Sequence, residues 1–329
     1  MTIRSSAPVR LDFAGGWTDV APFTDQERGA VVNAAIELRA EVTLQLGGES
    51  FRLESLETGR SVEIPNMATL TLNGDLDLLK AAVRMYRPGP CRLQTRSDAP
   101  QGGGLGGSGA LDVALVAALE RGLGRFPSPA ELAHRAWDLE ARQLGIPGGK
   151  QDQFAAALGG FHHLTFSGNE VAAVPIALPA GFADHLAQSI LLCYTGESRL
   201  SGRTIARVMS RYAAGNAEVV GALRGMVEVA DLLVAALEGG SLGDVARLVQ
   251  RNWSLQQDLD EGMCTPTMGA LEQAMRDAGA LGGKAAGSGA GGTMFFVFDS
   301  PGQAAAARTL VQGVAYLPVS WAAEGVRVW

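Results

Sequence analysis

Cysteine is scarce in this chain of 329 residues: Cys91, Cys193 and Cys264 stand far apart, without CxxC spacing. Three thiols cannot all pair, so no disulfide framework is expected and a reducing cytoplasm is the natural setting. Each is read as a small buried apolar residue. Positive charge is also short, with 27 Lys and Arg against 34 Asp and Glu and a net charge of −7. A chain repelled by phosphate overall needs a strong basic patch to bind nucleic acid or an anionic membrane, and no such run exists. Long apolar runs are missing as well. No stretch approaches the roughly 20 apolar residues of a membrane span. The opening MTIRSSAPVRLDF lacks the apolar core of a signal peptide. The expectation is a soluble cytoplasmic protein with no nucleic-acid or membrane partner.

What is present is glycine, 43 residues of it, concentrated at 102–109 and 282–292. A flexible linker would have serine-rich, featureless flanks, whereas both clusters abut strong secondary-structure signals. With 47% hydrophobic and 19% charged residues the chain is globular, long enough for one large or two ordinary domains.

From Thr2 to about Pro65 the pattern alternates as strands do, through VRLDF, AVVNAAIEL, AEVTLQL, SFRLESL and RSVEI. DLDLLKAAVRMY reads as a helix and CRLQTRS as a strand. GALDVALVAALERGL and PAELAHRAWDLEARQLG read as helices, the second opened by Ser128-Pro129 and closed by glycine. GGFHHLTF returns to the sheet. Beyond about residue 180 come the strand SILLCYT, several helices over 201–279, the strand GGTMFFVFD, the helix PGQAAAARTLVQG and a closing VRVW strand. Strands first, then mainly helices, predict an α+β protein of two lobes, 1–180 and 181–329.

The segment DAPQGGGLGGSGALDVAL runs strand, glycine loop, helix. Phosphate needs several backbone N–H donors at close range, and side chains would block that approach, so glycine suits a cradle ahead of a helix N-terminus. A flexible turn is the other reading. Ser108, where the helix starts, suits an N-cap, a metal ligand or both. The loop lacks the lysine of GxxxxGK[ST], and no acidic residue ends a second strand about 20 positions on, which argues against a Walker loop and a dinucleotide fingerprint.

On the helix over 129–144, three–four spacing puts Ala133, Ala136, Trp137, Glu140 and Leu144 on one face. Glu140 interrupts that face, either as an ion-pair partner of Arg135 or Arg142 or as a ligand. Asp152, in GGKQDQFAAALGG, is either a helix cap or first-turn acid, or a working carboxylate. With Ser108, the two carboxylates supply what Mg–ATP phosphoryl transfer requires: oxygen ligands for the metal and an acid near the nucleophile. In PVRLDFAGGWTDV, alternation separates Val9, Leu11 and Phe13 from Arg10 and Asp12, the latter two open to a surface ion pair. The Gly15-Gly16 turn then presents Trp17, Thr18 and Asp19, a cluster that suits a sugar or an ordinary turn.

Together, APVRLDFAGGWTDV, GGGLGGSGALDVAL and GGKAAGSGAGGTMFFV resemble, in order and spacing, the three motifs of the GHMP kinase superfamily (galactokinase, homoserine kinase, mevalonate kinase, phosphomevalonate kinase). More narrowly, the first motif, GGKQDQFAAALGGFHHLTF, YTGESRLS and NWSLQQDL resemble the D-glycero-D-manno-heptose 7-phosphate 1-kinases. VRLDFAGGWTD and the QDQ segment are also similar to the kinase part of L-fucokinase. The resemblance implies an N-terminal lobe like ribosomal S5 domain 2 and a ferredoxin-like C-terminal lobe, with ATP and sugar between them. It assigns the nucleotide to Gly102, Gly103, Gly104, Leu105, Gly106, Gly107, Ser108 and Gly109, and Mg²⁺ to Ser108 and Glu140. Asp152 matches the aspartate facing the reacting hydroxyl and Arg10 the basic residue that stabilises the attacking oxygen. Asp19, with Trp17 and Thr18, matches the sugar-binding turn, and Gly287 and Gly289 the cleft floor.

Two departures stand out. GLGGSGA replaces the usual GLGSSA, so Gly107 stands for the first serine and Gly109 loosens the helix start. Trp17 replaces the glycine common in heptose kinases, a feature shared with fucokinases. The implied activity is ATP-dependent phosphorylation of the anomeric hydroxyl of heptose 7-phosphate. Its rivals are another sugar 1-kinase such as L-fucokinase, a non-catalytic sugar- or ATP-binding regulator, and a decarboxylase. Arg199, Arg203 and Lys150 are candidates for a distal substrate phosphate. The sequence leaves monomer and homodimer open.

Overall fold

Strand β1 (Thr2–Ala14) lies antiparallel to the long strand β2 (Gly29–Leu46), with a short helix α1 (Phe23–Gln26) in the connection. The sequence pattern suggests two strands over 30–46, yet the structure has one. Pro8 pairs with Arg39 but Val9 with Ile36, so Glu37 and Leu38 form a bulge that bends the strand without ending it. The hairpin β3 (Phe51–Ser55) and β4 (Arg60–Ile64) follows, then helix α2 (Asp77–Tyr86) and strand β5 (Cys91–Ser97). This computed structural model describes residues 1–197 and 202–329.

Helix α3 (Gly107–Gly122) is buried from Gly109 to Glu120 save for the half-buried Leu111, because it lies on β1 and β2 and is flanked by other helices. Helix α4 (Pro129–Asp138) opens with a capping box: Ser128 Oγ accepts from Glu131 N and the Glu131 carboxylate accepts from Ser128 N. The expected helix over 129–144 does not stay α-helical. It widens into a π turn over Leu139–Gln143, so three–four spacing does not set the direction of Glu140. Helix α5 (Gln151–Leu158), strands β6 (Phe161–Ser167) and β7 (Glu170–Pro175) complete this stretch.

The second half contributes α6 (Phe182–Gln188), β8 (Ile190–Tyr194), α7 (Gly202–Ala213), α8 (Ala217–Glu238), α9 (Leu242–Asp258) and α10 (Pro266–Asp277). Then come β9 (Gly282–Ala285), β10 (Thr293–Val297), α11 (Pro301–Leu310), β11 (Ala315–Leu317) and β12 (Arg327–Val328). Polar N-caps fix the helix starts: Asn216, Ser241, Thr265 and Ser300 each accept from the N–H three residues on.

The first sheet runs β12-β1-β2-β5-β3-β4, with β6 also on β2 and β7 on β6; the second runs β11-β8-β10-β9. The α+β expectation holds. The chain's last strand departs from the 181–329 assignment, since β12 pairs with β1 through Ser5↔Val328 and Ser6↔Arg327. One apolar cluster fills the first lobe and reaches α8 and α9; a second centres on β8, β10, α7 and α10. From Ala7 to Ala14 strand β1 is buried on both faces, because the second lobe covers what would otherwise be its polar side. The cysteines are free; Cys91 and Cys193 are buried and Cys264 is half-buried. Among the described residues no helix is long and apolar enough to cross a membrane.

Candidate active site

Arg10 and Asp152 meet where the lobes join. Arg10 Nε and Nη2 each lie 2.8 Å from Asp152 Oδ1, while Nη1 donates to Gly104 O at 2.7 Å and Ala286 O at 2.8 Å. One guanidinium therefore ties the first motif to the glycine loop, to the third motif and to α5. The surface ion pair with Asp12 is not formed. Both residues are buried, and Asp12 pairs with Lys284 instead.

The glycine loop ends at Gly106, which caps α3 in the left-handed region with φ 72°. Ser108 is thus inside the first turn and is not the N-cap. The first helical bond joins Ala110 N–H to Gly106 O, so the N–H groups of Gly107, Ser108 and Gly109 precede it and have no partner within the helix. Leu105, assigned above to the nucleotide, buries its side chain in the first core and gives its carbonyl to Arg10 N. Gly109 does more than loosen the helix. A Cβ there would stand 2.6 Å from Asp152 Cβ, so glycine is what lets α3 and α5 cross closely enough to bring Asp152 to the loop. Gly287 lies against Gly104 O in the same way, joining the third motif to the loop, whereas Gly289 is turned onto Met263 and away from it.

Ser108 Oγ donates to Glu140 Oε1 at 2.8 Å and Gln153 Nε2 donates to Glu140 Oε2 at 2.8 Å. Glu140 pairs with neither Arg135 nor Arg142, which bind Glu120 and Asp138. Burial raises the Glu140 pKa, and the nearby Asp152 charge adds to this. Below it Asp112 is fully buried, its carboxyl oxygens without a hydrogen-bond partner among the described residues. Burial first, then Glu140, pushes its pKa well above the usual range. Sequence reading passed over both Gln153 and Asp112. An aspartate inside the apolar run of GALDVALVAALERGL was the available signal.

Hard oxygen ligands with excess negative charge suit Mg²⁺. Among the described residues no group of three or more His, Cys, Asp or Glu is arranged to hold a metal by itself. A metal at Ser108 and Glu140 therefore needs further oxygens from a nucleotide or water.

Asp19 is buried at the start of α5, where its Oδ2 accepts from Gln151 N at 3.0 Å. Burial pushes its pKa up to about 6; the Gln151 N–H opposes this, and Asp152 and Asp12 add to it. Its neighbours fare differently. The Thr18 hydroxyl serves the turn, donating to Gly15 O at 2.7 Å and accepting from Ala30 N, and the residue is fully buried. Trp17 adopts φ 81° and packs in the second core, 4% exposed, its indole N–H without a hydrogen-bond partner among the described residues. Lys150 is not free for a phosphate, because its ammonium donates to Asn169 O at 3.0 Å and lies over the Trp137 ring. Arg199 and the Arg203 side chain lie outside the described residues.

Two lobes with a glycine loop, an acidic pair and a guanidinium at their junction define a GHMP kinase, and the chain belongs to that family. Residues 76–160 match the GHMP kinases N terminal domain and 233–312 the GHMP kinases C terminal domain. The D-glycero-alpha-D-manno-heptose 7-phosphate kinase of Campylobacter jejuni is 30% identical, over 100% of this chain and 99% of that protein. A solved D-glycero-D-manno-heptose 1-phosphate kinase from Bacteroides thetaiotaomicron superposes with a TM-score of 0.81 at 27% identity, covering 99% of this chain and 98% of that one. The L-fucokinase/L-fucose-1-P guanylyltransferase of Bacteroides fragilis is 27% identical over 93% of this chain but only 35% of its own length.

Proposed function

We propose that the protein transfers the γ-phosphoryl group of Mg–ATP to the anomeric hydroxyl of a heptose 7-phosphate. The observation that carries this is the Asp152 carboxylate, fixed by Arg10 directly beside the free N–H groups that open α3. The full-length likeness to the heptose 7-phosphate kinase supports the sugar.

In this reading the N–H groups of Gly107, Ser108 and Gly109 and the positive end of α3 hold the phosphates. Ser108 and Glu140 hold Mg²⁺, which, when bound, neutralises charge on the phosphates and orients them. Asp152 accepts the proton of the anomeric hydroxyl as its oxygen bonds to the γ-phosphorus and the bond to ADP breaks. Arg10 keeps that carboxylate in one orientation and stabilises negative charge on the attacking oxygen. Asp19 accepts hydrogen bonds from sugar hydroxyls. Gly102 to Gly104 let the nucleotide approach the backbone closely, and Gly287 closes the floor against the loop.

Incubation with ATP and a panel of free sugars and sugar 6- and 7-phosphates, read by phosphorus NMR, tests the assignment. The expected product carries a new anomeric phosphate on heptose 7-phosphate. L-fucose is the second reading, favoured by the fucokinase likeness and by a Lys150 already engaged. Selective turnover of fucose would install it. ADP release with none of the panel would remove both.

A further inference from the structure

The charged pair between Lys284 and Asp12 has no place in the chemistry above. Lys284 is 0% exposed and Asp12 1%, so water solvates neither charge. Lys284 stands on β9 in the third motif, paired across the ladder with Phe295, and reaches from the second lobe into the first. Its Nζ donates to Asp12 O at 2.7 Å and lies 3.2 Å from Asp12 Oδ2. Both acceptors belong to one residue, at the point where β1 loses its register with β2, between Asp12 and Ala14.

The β2 ladder also holds this strand end, through Asp12↔Asn33 and Ala14↔Val32, and Gly15 N donates to Asn252 Oδ1 at 2.9 Å, but neither grips the Asp12 side chain. Arg10 N donates to Leu105 O at 3.0 Å, but Asp12 N reaches Ala286 O only at 3.3 Å. The lysine bond is the shorter hold on Asp12, and it is charge-assisted. Stability alone does not ask for this arrangement, since apolar replacements of a buried ion pair are often as stable or more so. Burial first, then the Arg10 charge, lowers the Lys284 pKa, and Asp12 offsets part of this. The neighbourhood explains why a second cation is wanted there: Asp12 and Asp152 both lie close enough to raise the pKa of Asp19, and Arg10 pairs with Asp152.

The geometry points to Lys284 as a positioning residue, holding the end of β1 through Asp12 so that Arg10, two residues back, meets Asp152 at the glycine loop. It rests on the sugar-kinase reading above. Lys284 touches no reacting atom in this scheme; it acts through Asp12 and the strand. A displaced Arg10 would misalign Asp152 and the hydroxyl, and a shift of about 1 Å at such a place costs on the order of 100-fold in rate.

The test pairs stability with kinetics. Lys284→Met alone leaves a buried carboxylate without its cation and is expected to melt well below the wild type. The double variant Asp12→Asn/Lys284→Met removes both charges with similar shapes, and its melting temperature is expected to recover. Its kcat is expected to stay down by about tenfold or more, with the KM values for ATP and sugar within about twofold. Asp12→Asn alone is the second variant, with the same expected kinetic pattern. Wild-type turnover in the same assay checks the sugar-kinase reading separately. Either variant folded and turning over within about threefold of wild type overturns the proposal. So does failure of both to fold, because the pair is then an element of stability alone.

Discussion

Asp152 takes both of its close donors from a single side chain, with Arg10 Nε and Nη2 at 2.8 Å from the same carboxylate oxygen. The other oxygen is left toward the glycine loop, near the site a Gly106 Cβ would fill, and the carboxylate is 30% exposed. A carboxylate oriented on one side and open on the other is suited to receive a proton.

Asp152→Asn should therefore bind nucleotide like the wild type but lose about 10²–10⁴-fold in kcat, the usual worth of a positioned general base. The comparison needs saturating Mg–ATP and sugar. A kcat within about threefold of wild type would leave Asp152 with a structural role only.

The three glycine-bearing motifs were legible because their constraint is local: phosphate approach and close backbone crossings exclude side chains wherever they occur. Strand and helix positions followed for the same reason, from alternation and caps. What escaped depended on the other lobe. Arg10 and Asp12 alternate like surface residues, and only the covering second lobe makes them interior. Lys284 is a single charge in a glycine run, and its partner Asp12 lies 272 positions away, brought to it only by β9. The π turn that re-aims Glu140 leaves no mark in an apolar pattern counted by threes and fours. Thr18 and Trp17 were assigned by chemistry suited to a sugar, but a turn can use the same hydroxyl and a core the same ring.

A shared metal predicts coupled behaviour at Ser108 and Glu140, which lie 2.8 Å apart. Ser108→Ala and Glu140→Gln should each raise the Mg²⁺ concentration for half-maximal rate, and the double variant should show less than the summed effect. An unchanged Mg²⁺ dependence in both single variants rules out shared ligation.

Gly109 offers a purely steric test. Alanine is a good helix residue, and at an exposed site the change would stabilise the helix by about 1 kcal/mol. Here the new Cβ meets Asp152 Cβ at 2.6 Å, so α3 and α5 must part. Gly109→Ala should lose about 1–3 kcal/mol of stability by overpacking and reduce kcat as Asp152 moves. Unfolding curves and kinetics on one preparation decide it; an unchanged melting temperature means the crossing has slack.

Asp19 links pH to both sugar binding and stability. Its pKa is pushed up to about 6, so the carboxylate proposed to accept sugar hydroxyls is neutralised as pH falls through that value. The sugar KM should rise below about pH 6, more steeply than the ATP KM. For stability the sign is opposite to that of a salt-bridged acid. The native state keeps a proton that the unfolded chain releases near 3.8, so this contribution is full below that pH and is lost on rising through about 6. The ionised form then costs at most roughly 3 kcal/mol. Asp19→Asn should accordingly raise the melting temperature at pH 8 and change it little at pH 4, and it should weaken sugar binding at pH 8 but little at pH 4, where the wild-type carboxyl is already neutral. A variant less stable at pH 8 would show that the Gln151 N–H outweighs desolvation.

Trp17 separates specificity from packing. Its ring sits with Val20 and Phe23 in the second core, which argues for packing, while its indole N–H, without a partner among the described residues, and its φ of 81° mark a strained position in the turn that leads to Asp19. Removing the ring from a core costs about 3–5 kcal/mol, and relief of the left-handed backbone returns only about 1–2 kcal/mol. Trp17→Gly should therefore melt lower, by the equivalent of roughly 2–3 kcal/mol. Because the ring faces the core, kcat/KM for heptose 7-phosphate and for fucose should fall together, their ratio moving by less than about threefold. Trp17→Phe isolates the N–H: it keeps most of the packing and should keep the ratio too. A tenfold change in the ratio, about 1.4 kcal/mol, in the glycine variant would return the ring to the sugar pocket. The same change in the phenylalanine variant would assign that discrimination to the indole N–H.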